Sequence, residues 1–221
     1  MISPLYSKCI VSLDCPLEKA KEIIYAIGDR ITMYKVHALY DEFPKIIEVL
    51  KLQDKQGFLD LKLHDTPNTT KLRVEALAQM QVDYLTVHID TAMNKELISN
   101  LNSKINLVGV SYLTSWLKYD TKEYLQSVLE YVHSDIEHGL SVSMQNFICP
   151  GPFVEEVKSK YQNKITTFTP GIKYPNSSTP GQYAHLTAKQ VIDAGGDYII
   201  LGSGIYNSGD PVQALENILN L

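Results

Sequence analysis

Short apolar runs alternate with stretches whose apolar residues fall at helical spacing. The runs cover 9–13, 31–36, 58–63, 84–88, 107–111, 140–144, 165–168 and 198–201. The helical stretches cover 17–27, 43–52, 68–80, 94–100, 119–137, 154–160, 186–194 and 211–219. Each run is therefore followed by a helix. Strands that alternate with helices build a parallel sheet, because a parallel partner needs a crossover connection. Eight such units predict a single-domain (β/α)8 barrel over residues 1–221, with a doubly wound open sheet as the alternative. The sixth run is the most diluted, since Ser141 and Ser143 interrupt it.

Between the seventh run and its helix lies the polar segment 173–183, rich in Pro, Asn, Ser, Thr and Gly. The plainer reading is a surface loop. Its position after a barrel strand favours a covering over a site, since barrel active sites are built from such loops.

The segment Phe58-Leu59-Asp60-Leu61-Lys62-Leu63-His64-Asp65 carries the chemistry. Side chains alternate across a strand, so Leu59, Leu61 and Leu63 share one face and Phe58, Asp60 and Lys62 the other. An edge strand with a wet face would explain these charges without function. A parallel strand is covered on both faces, however, and charges are rarely buried unless they are paired or in use. Lys35 stands near the end of the second run, and Asp65 just past the end of the third. Together they predict an alternating array of ammonium and carboxylate groups at the barrel mouth, with the carboxylates keeping Lys62 charged. His88, at the end of the fourth run, reads as a supporting hydrogen-bonding residue.

Composition narrows the classes. The 44% hydrophobic and 20% charged residues fit a globular domain with a real core. A formal net charge of −5 disfavours a nucleic-acid duplex binder, and no motif supports one. The three cysteines, Cys9, Cys15 and Cys149, form no C-x-x-C pair. They predict neither a disulfide framework nor structural zinc, and a reducing cytosol is expected. Cys15 reads as a small apolar filler. No stretch approaches the ~20 apolar residues of a membrane span, and residues 1–13 read as leading into the first strand and not as a signal peptide.

Residues 59–69, Leu-Asp-Leu-Lys-Leu-His-Asp-Thr-Pro-Asn-Thr, resemble the Asp-x-Lys-x-x-Asp signature of the orotidine 5′-monophosphate decarboxylase family. Ser12-Leu13-Asp14, Tyr34-Lys35-Val36, residues 82–88, Thr169-Pro170-Gly171-Ile172 and residues 197–211 extend the resemblance over nearly the whole chain. It implies cofactor-free, metal-free decarboxylation of orotidine 5′-monophosphate to uridine 5′-monophosphate. By that resemblance Lys62 protonates C6 and Asp60 lies against the substrate carboxylate. Lys35 and Asp14 contact the ribose, Thr114 reads the pyrimidine edge, and Gln182 touches phosphate and base. Asp65 and Thr69 reach the site of a second subunit, which implies a homodimer with shared sites.

The match breaks at the phosphate. The family carries Gly-Arg after the eighth strand, where this chain has Gly202-Ser203-Gly204; its Pro-Gly-Ile-Arg ends here in Lys173. Losing one charged hydrogen bond should cost about 1.5–3 kcal/mol. The expected substitutes are the amides of Gly202 and Ser203 at a helix start, the Ser203 hydroxyl, and Lys173 as a point charge. Two rivals follow. One is a magnesium-dependent sugar-phosphate decarboxylase or aldolase of the same superfamily, which by resemblance carries an acid where this chain has Lys35. The other is a binding protein on a catalytically retired barrel, supported by the missing arginine alone.

Overall fold

A computed structural model describes residues 5–89, 94–113, 117, 119, 121–174 and 186–220. Eight parallel strands close into one barrel in sequence order, which decides against the open sheet. The strands are β1 Cys9–Ser12, β2 Met33–Val36, β3 Gln56–Leu63, β4 Tyr84–His88, β5 Asn106–Val110, β6 Asn146–Ile148, β7 Thr166–Thr169 and β8 Tyr198–Leu201. The helices are α1 Leu17–Ile27, α2 Phe43–Leu52, α3 Pro67–Ala78, α4 Lys95–Asn102, α5 Lys122–Ser141, α6 Val154–Tyr161, α7 Ala188–Asp193, α8 Ser203–Tyr206 and α9 Pro211–Leu219.

Alternation along each strand sorts the apolar residues into two cores. Ile10, Met33, Phe58, Val108, Val110, Ile148, Phe168 and Ile200 point inward and fill the barrel. Phe168 stacks on Tyr198 at 5.0 Å and meets Phe58 edge-on at 5.4 Å. The opposite faces, such as Val11, Tyr34, Val36, Leu59, Leu85 and Leu201, pack under the helices. The floor of the barrel is therefore solid, and polar side chains have room only above it, at the C-terminal ends of the strands.

One predicted strand is corrected. Residues 140–144 are not β6: α5 runs on to Ser141, and β6 is Asn146–Ile148. Leu140, Val142 and Met144 are apolar because the end of α5 and its turn press on the sheet. A side chain at Gly139 would meet the Phe147 ring at 2.6 Å, so the helix approaches β6 too closely for anything but glycine there. The short helix α8, directly after β8, was absent from the predicted elements but supplies the helix start expected at Ser203.

Candidate active site

The charge array forms at the barrel mouth. Lys35, inward on β2, lies 3.0 Å from Asp60 Oδ2 and 3.2 Å from Asp14 Oδ1. Lys62 lies 2.8 Å from Asp60 Oδ1. Charges therefore alternate in the order Asp14, Lys35, Asp60, Lys62. Lys35 and Asp60 are only 7% and 8% exposed, so each depends on its partners for charge compensation. Burial alone would push the Asp60 carboxyl up, but Lys35 and Lys62 outweigh it and hold the group down at about 2. Burial likewise disfavours a charged Lys35, and Asp60 with Asp14 reverses that, raising its pKa.

Local backbone geometry places Lys62. Its φ is +48°, in the left-handed region that non-glycine residues rarely enter. The β3–β4 register shifts between Leu59 and Leu63, the mark of a bulge. Thr86 of β4, fully buried, pins this irregularity. Its hydroxyl accepts from the Lys62 backbone N–H at 2.8 Å and donates to Asp60 Oδ1 at 3.0 Å. Nothing in the charge pattern of the sequence singles out Thr86. Its inward position on β4, opposite a charged strand, was the available signal. The same holds for His37: two residues beyond Lys35 on the same face, it feels Asp60, Lys62, Lys35 and Asp14, and burial lowers its pKa.

The other expected residues fall in two groups. Asp65 and Thr69 are exposed on the protomer, at the start of α3. Asp65 accepts the Thr66 N–H at 2.7 Å, and the Thr66 and Thr69 hydroxyls are 3.0 Å apart. Neither joins the array. At the other side of the mouth, Gly202 caps α8 and Ser203 begins it, with Ser203 exposed. Lys173 is exposed and donates its backbone N–H to Leu186 O at 2.9 Å. Thr114, Gln182 and most of the polar segment 173–183 lie outside the described residues.

Among the described residues, no group of three or more His, Cys, Asp or Glu could hold a metal ion. Asp14 and Asp60, the two carboxylates of the array, already share the Lys35 ammonium between them. Cys15 is buried, and desolvation pushes its thiol up to about 11, as befits a filler. Among the described residues, no helix is long and apolar enough to cross a membrane. The array sets the Lys62 amine 2.8 Å from the Asp60 carboxylate at the C-terminal ends of the strands. That is the equipment of an acid that protonates a carbanion next to an anionic leaving group.

Known proteins share this frame. An orotidine 5′-phosphate decarboxylase from Thermosynechococcus vestitus is 32% identical, over 96% of this chain and 94% of its own. One from Streptococcus pneumoniae is 30% identical, over 95% and 94%. The crystal structure of orotidine 5′-phosphate decarboxylase from Lactobacillus acidophilus superposes with a TM-score of 0.75 at 26% identity, covering 97% of this chain and 98% of that one. The enzyme from Pyrococcus horikoshii gives 0.72 at 25%, covering 96% and 97%. Residues 7–218 match the model of one family, so the barrel, its charged third strand and these relatives lead to one conclusion: the chain belongs to the orotidine 5′-phosphate decarboxylase / HUMPS family.

Proposed function

We propose that this chain decarboxylates orotidine 5′-monophosphate to uridine 5′-monophosphate, in pyrimidine biosynthesis, with no metal or organic cofactor. The observation that carries this is the array Asp14, Lys35, Asp60, Lys62, joined by contacts of 2.8–3.2 Å. The bond from C6 to the carboxylate breaks, carbon dioxide leaves, and the electron pair stays on C6. Lys62 delivers its proton there and regains one from water. Asp60 holds the Lys62 amine in place and presses against the departing carboxylate, an interaction relieved as that charge leaves. Preorganised charges of this kind need no reorganisation at the moment of reaction.

Asp14 and Lys35 take the ribose in this reading, and Thr114 and Gln182 the base and phosphate. The phosphate rests on the Gly202 and Ser203 amides with the Ser203 hydroxyl, and exposed Lys173 adds a point charge. Asp65 and Thr69 serve the neighbouring subunit of a homodimer. Their exposure in the protomer supports that role, as do the exposed apolar side chains of Leu39, Tyr40 and Leu72. The cytoplasm is the compartment that fits a biosynthetic enzyme with free, buried cysteines.

The test is turnover of orotidine 5′-monophosphate by the purified chain with EDTA present, beside Lys62→Ala. Turnover should persist in EDTA and fall by at least about 10²–10⁴-fold in the variant. Lys173→Ala should raise KM roughly tenfold with kcat little changed. Absence of turnover by a folded wild-type chain, with activity on a sugar phosphate only when magnesium is added, would transfer the assignment to the sister chemistry.

A further inference from the structure

Lys173 and Tyr174 follow β7, and Gly202, Ser203 and Gly204 follow β8. The two segments are bound together by one side chain. The Gly202 N–H donates to the Tyr174 hydroxyl oxygen at 2.7 Å, a short and therefore well-formed bond. The aromatic ring lies flush on Gly204: a side chain there would come within 2.7 Å of two ring carbons and 2.8 Å of a third, so only glycine admits the ring. Tyr174 thus sets its oxygen on the Gly202 amide, where the proposed function seats a phosphate oxygen.

A second feature points to the same spot. Ser12, at the inward end of β1, is 1% exposed, and its hydroxyl has no hydrogen-bond partner. A buried hydroxyl without a partner is costly, and such groups recur where a ligand supplies the missing atom. Ser12 stands beside Gly202. A Cβ on Gly202 would find Tyr174 Oη and Tyr206 Cε1 at 3.8 Å and Ser12 Cβ at 3.9 Å. Three side chains thus converge on the glycine whose amide is already taken.

We infer that Tyr174 is an internal competitor for the phosphate end of the substrate: its hydroxyl occupies the Gly202 amide until a phosphate displaces it. This rests on the proposed nucleotide substrate and on phosphate seating at Gly202 and Ser203. Displacement is favourable because a phosphate oxygen is charged, and charge-assisted hydrogen bonds are about twice as strong as those to a neutral phenol. A phosphate also carries further oxygens, and one of these would meet the Ser12 hydroxyl that the phenol oxygen leaves without a partner. The consequence is quantitative. A protein whose binding-competent form is only a fraction of the population shows an affinity reduced by that fraction. Tyr174 therefore weakens phosphorylated ligands selectively and leaves unphosphorylated ones alone, and it sets how strongly the chain distinguishes nucleotide from nucleoside.

The experiment is calorimetric titration of wild type and Tyr174→Phe with uridine 5′-monophosphate and with uridine. Phenylalanine keeps the ring on Gly204 and deletes the competing oxygen. The variant should bind the nucleotide roughly three- to tenfold more tightly, the equivalent of one neutral hydrogen bond, with uridine affinity unchanged. Gly204→Ala, which pushes the ring off its seat, should act in the same direction and stands in if Tyr174→Phe does not fold. Unchanged or weaker nucleotide binding overturns the inference, since it would make Tyr174 a bystander or a phosphate ligand. Equal tightening of nucleotide and nucleoside overturns it too. These results leave the proposed reaction standing where wild-type turnover is intact. If neither protein binds the nucleotide and the wild type turns over no substrate, the reaction and this inference fall together.

Discussion

Asp60 divides its carboxylate between two lysines, with Oδ2 3.0 Å from Lys35 and Oδ1 2.8 Å from Lys62. The group is buried, so its charge is tolerated only because both ammonium groups are there. Removing the charge leaves two cations facing each other across a neutral amide. Asp60→Asn should cost about 3 kcal/mol at neutral pH and abolish turnover. The pH dependence follows from the depressed carboxyl, held at about 2 against an ordinary 3.8. A lowered folded-state pKa adds stability that is complete well above 3.8 and is lost as pH falls from there towards 2. That contribution is about 2 kcal/mol, and roughly half of it is gone by pH 3. Urea unfolding of wild type and variant at pH 7, 4 and 3 reads it directly. The gap between them should narrow on acidification, and a constant gap would show that Asp60 is not the titrating group.

Lys62 occupies a backbone conformation that suits glycine, with φ at +48°. An L-residue there gives up roughly 1–2 kcal/mol. In the proposed reaction the chain accepts this because the bulged backbone carries the amine that protonates C6. Lys62→Gly and Lys62→Ala should be equally inactive yet differ in stability. Glycine relieves the strain and returns part of the gain through a more flexible unfolded chain, so it should come out ahead by up to about 1 kcal/mol. Thermal denaturation separates the two by roughly 2–4 °C for a chain of this size. If alanine is the more stable, the strain is not real.

Thr86 makes two hydrogen bonds with one hydroxyl, one to the backbone of Lys62 and one to the side chain of Asp60. Thr86→Val preserves the shape and strips both. The Lys62 N–H is then left without its acceptor beside a kinked strand, and a loss of about 2–3 kcal/mol is expected. Turnover should fall through kcat, because the variant disturbs where Lys62 points and not where the ribose sits. Thr86→Ser should restore most of both. A valine variant with normal kcat would reduce Thr86 to packing.

Much of this was legible in the chain. Parallel barrel strands are covered on both faces, so they appear as apolar runs, and charges inside such a run stand out. Asp60 and Lys62 were visible for that reason, and Lys35 by analogy one strand earlier. The sixth strand was missed because it is three residues long and opens on Asn146, while the apolar residues before it belong to the end of α5. Thr86 was missed because threonine is an ordinary strand residue; its role exists only once β3 bulges against β4. The contact between Tyr174 and Gly202 spans 28 positions, and nothing local to either residue announces it.

Asp65 and Thr69 raise the last question, since both are exposed and neither touches the array in its own protomer. If they complete the site of a neighbouring subunit, each site of a homodimer draws Lys62 from one chain and Asp65 from the other. Lys62→Ala and Asp65→Ala should then each be inactive alone. In a mixed dimer one site carries both lesions and the other carries none. Two-fold symmetry with random exchange makes half the dimers mixed, each with one intact site, so an equimolar mixture should recover about a quarter of wild-type activity. Denaturing the two variants together and refolding them gives the exchange, and turnover after refolding gives the answer. Recovery near a quarter establishes shared sites. No recovery, from a mixture shown by size to be dimeric, places Asp65 in its own protomer's site; no recovery from a monomer removes the homodimer and leaves the exposed Leu39, Tyr40 and Leu72 without a partner to cover them.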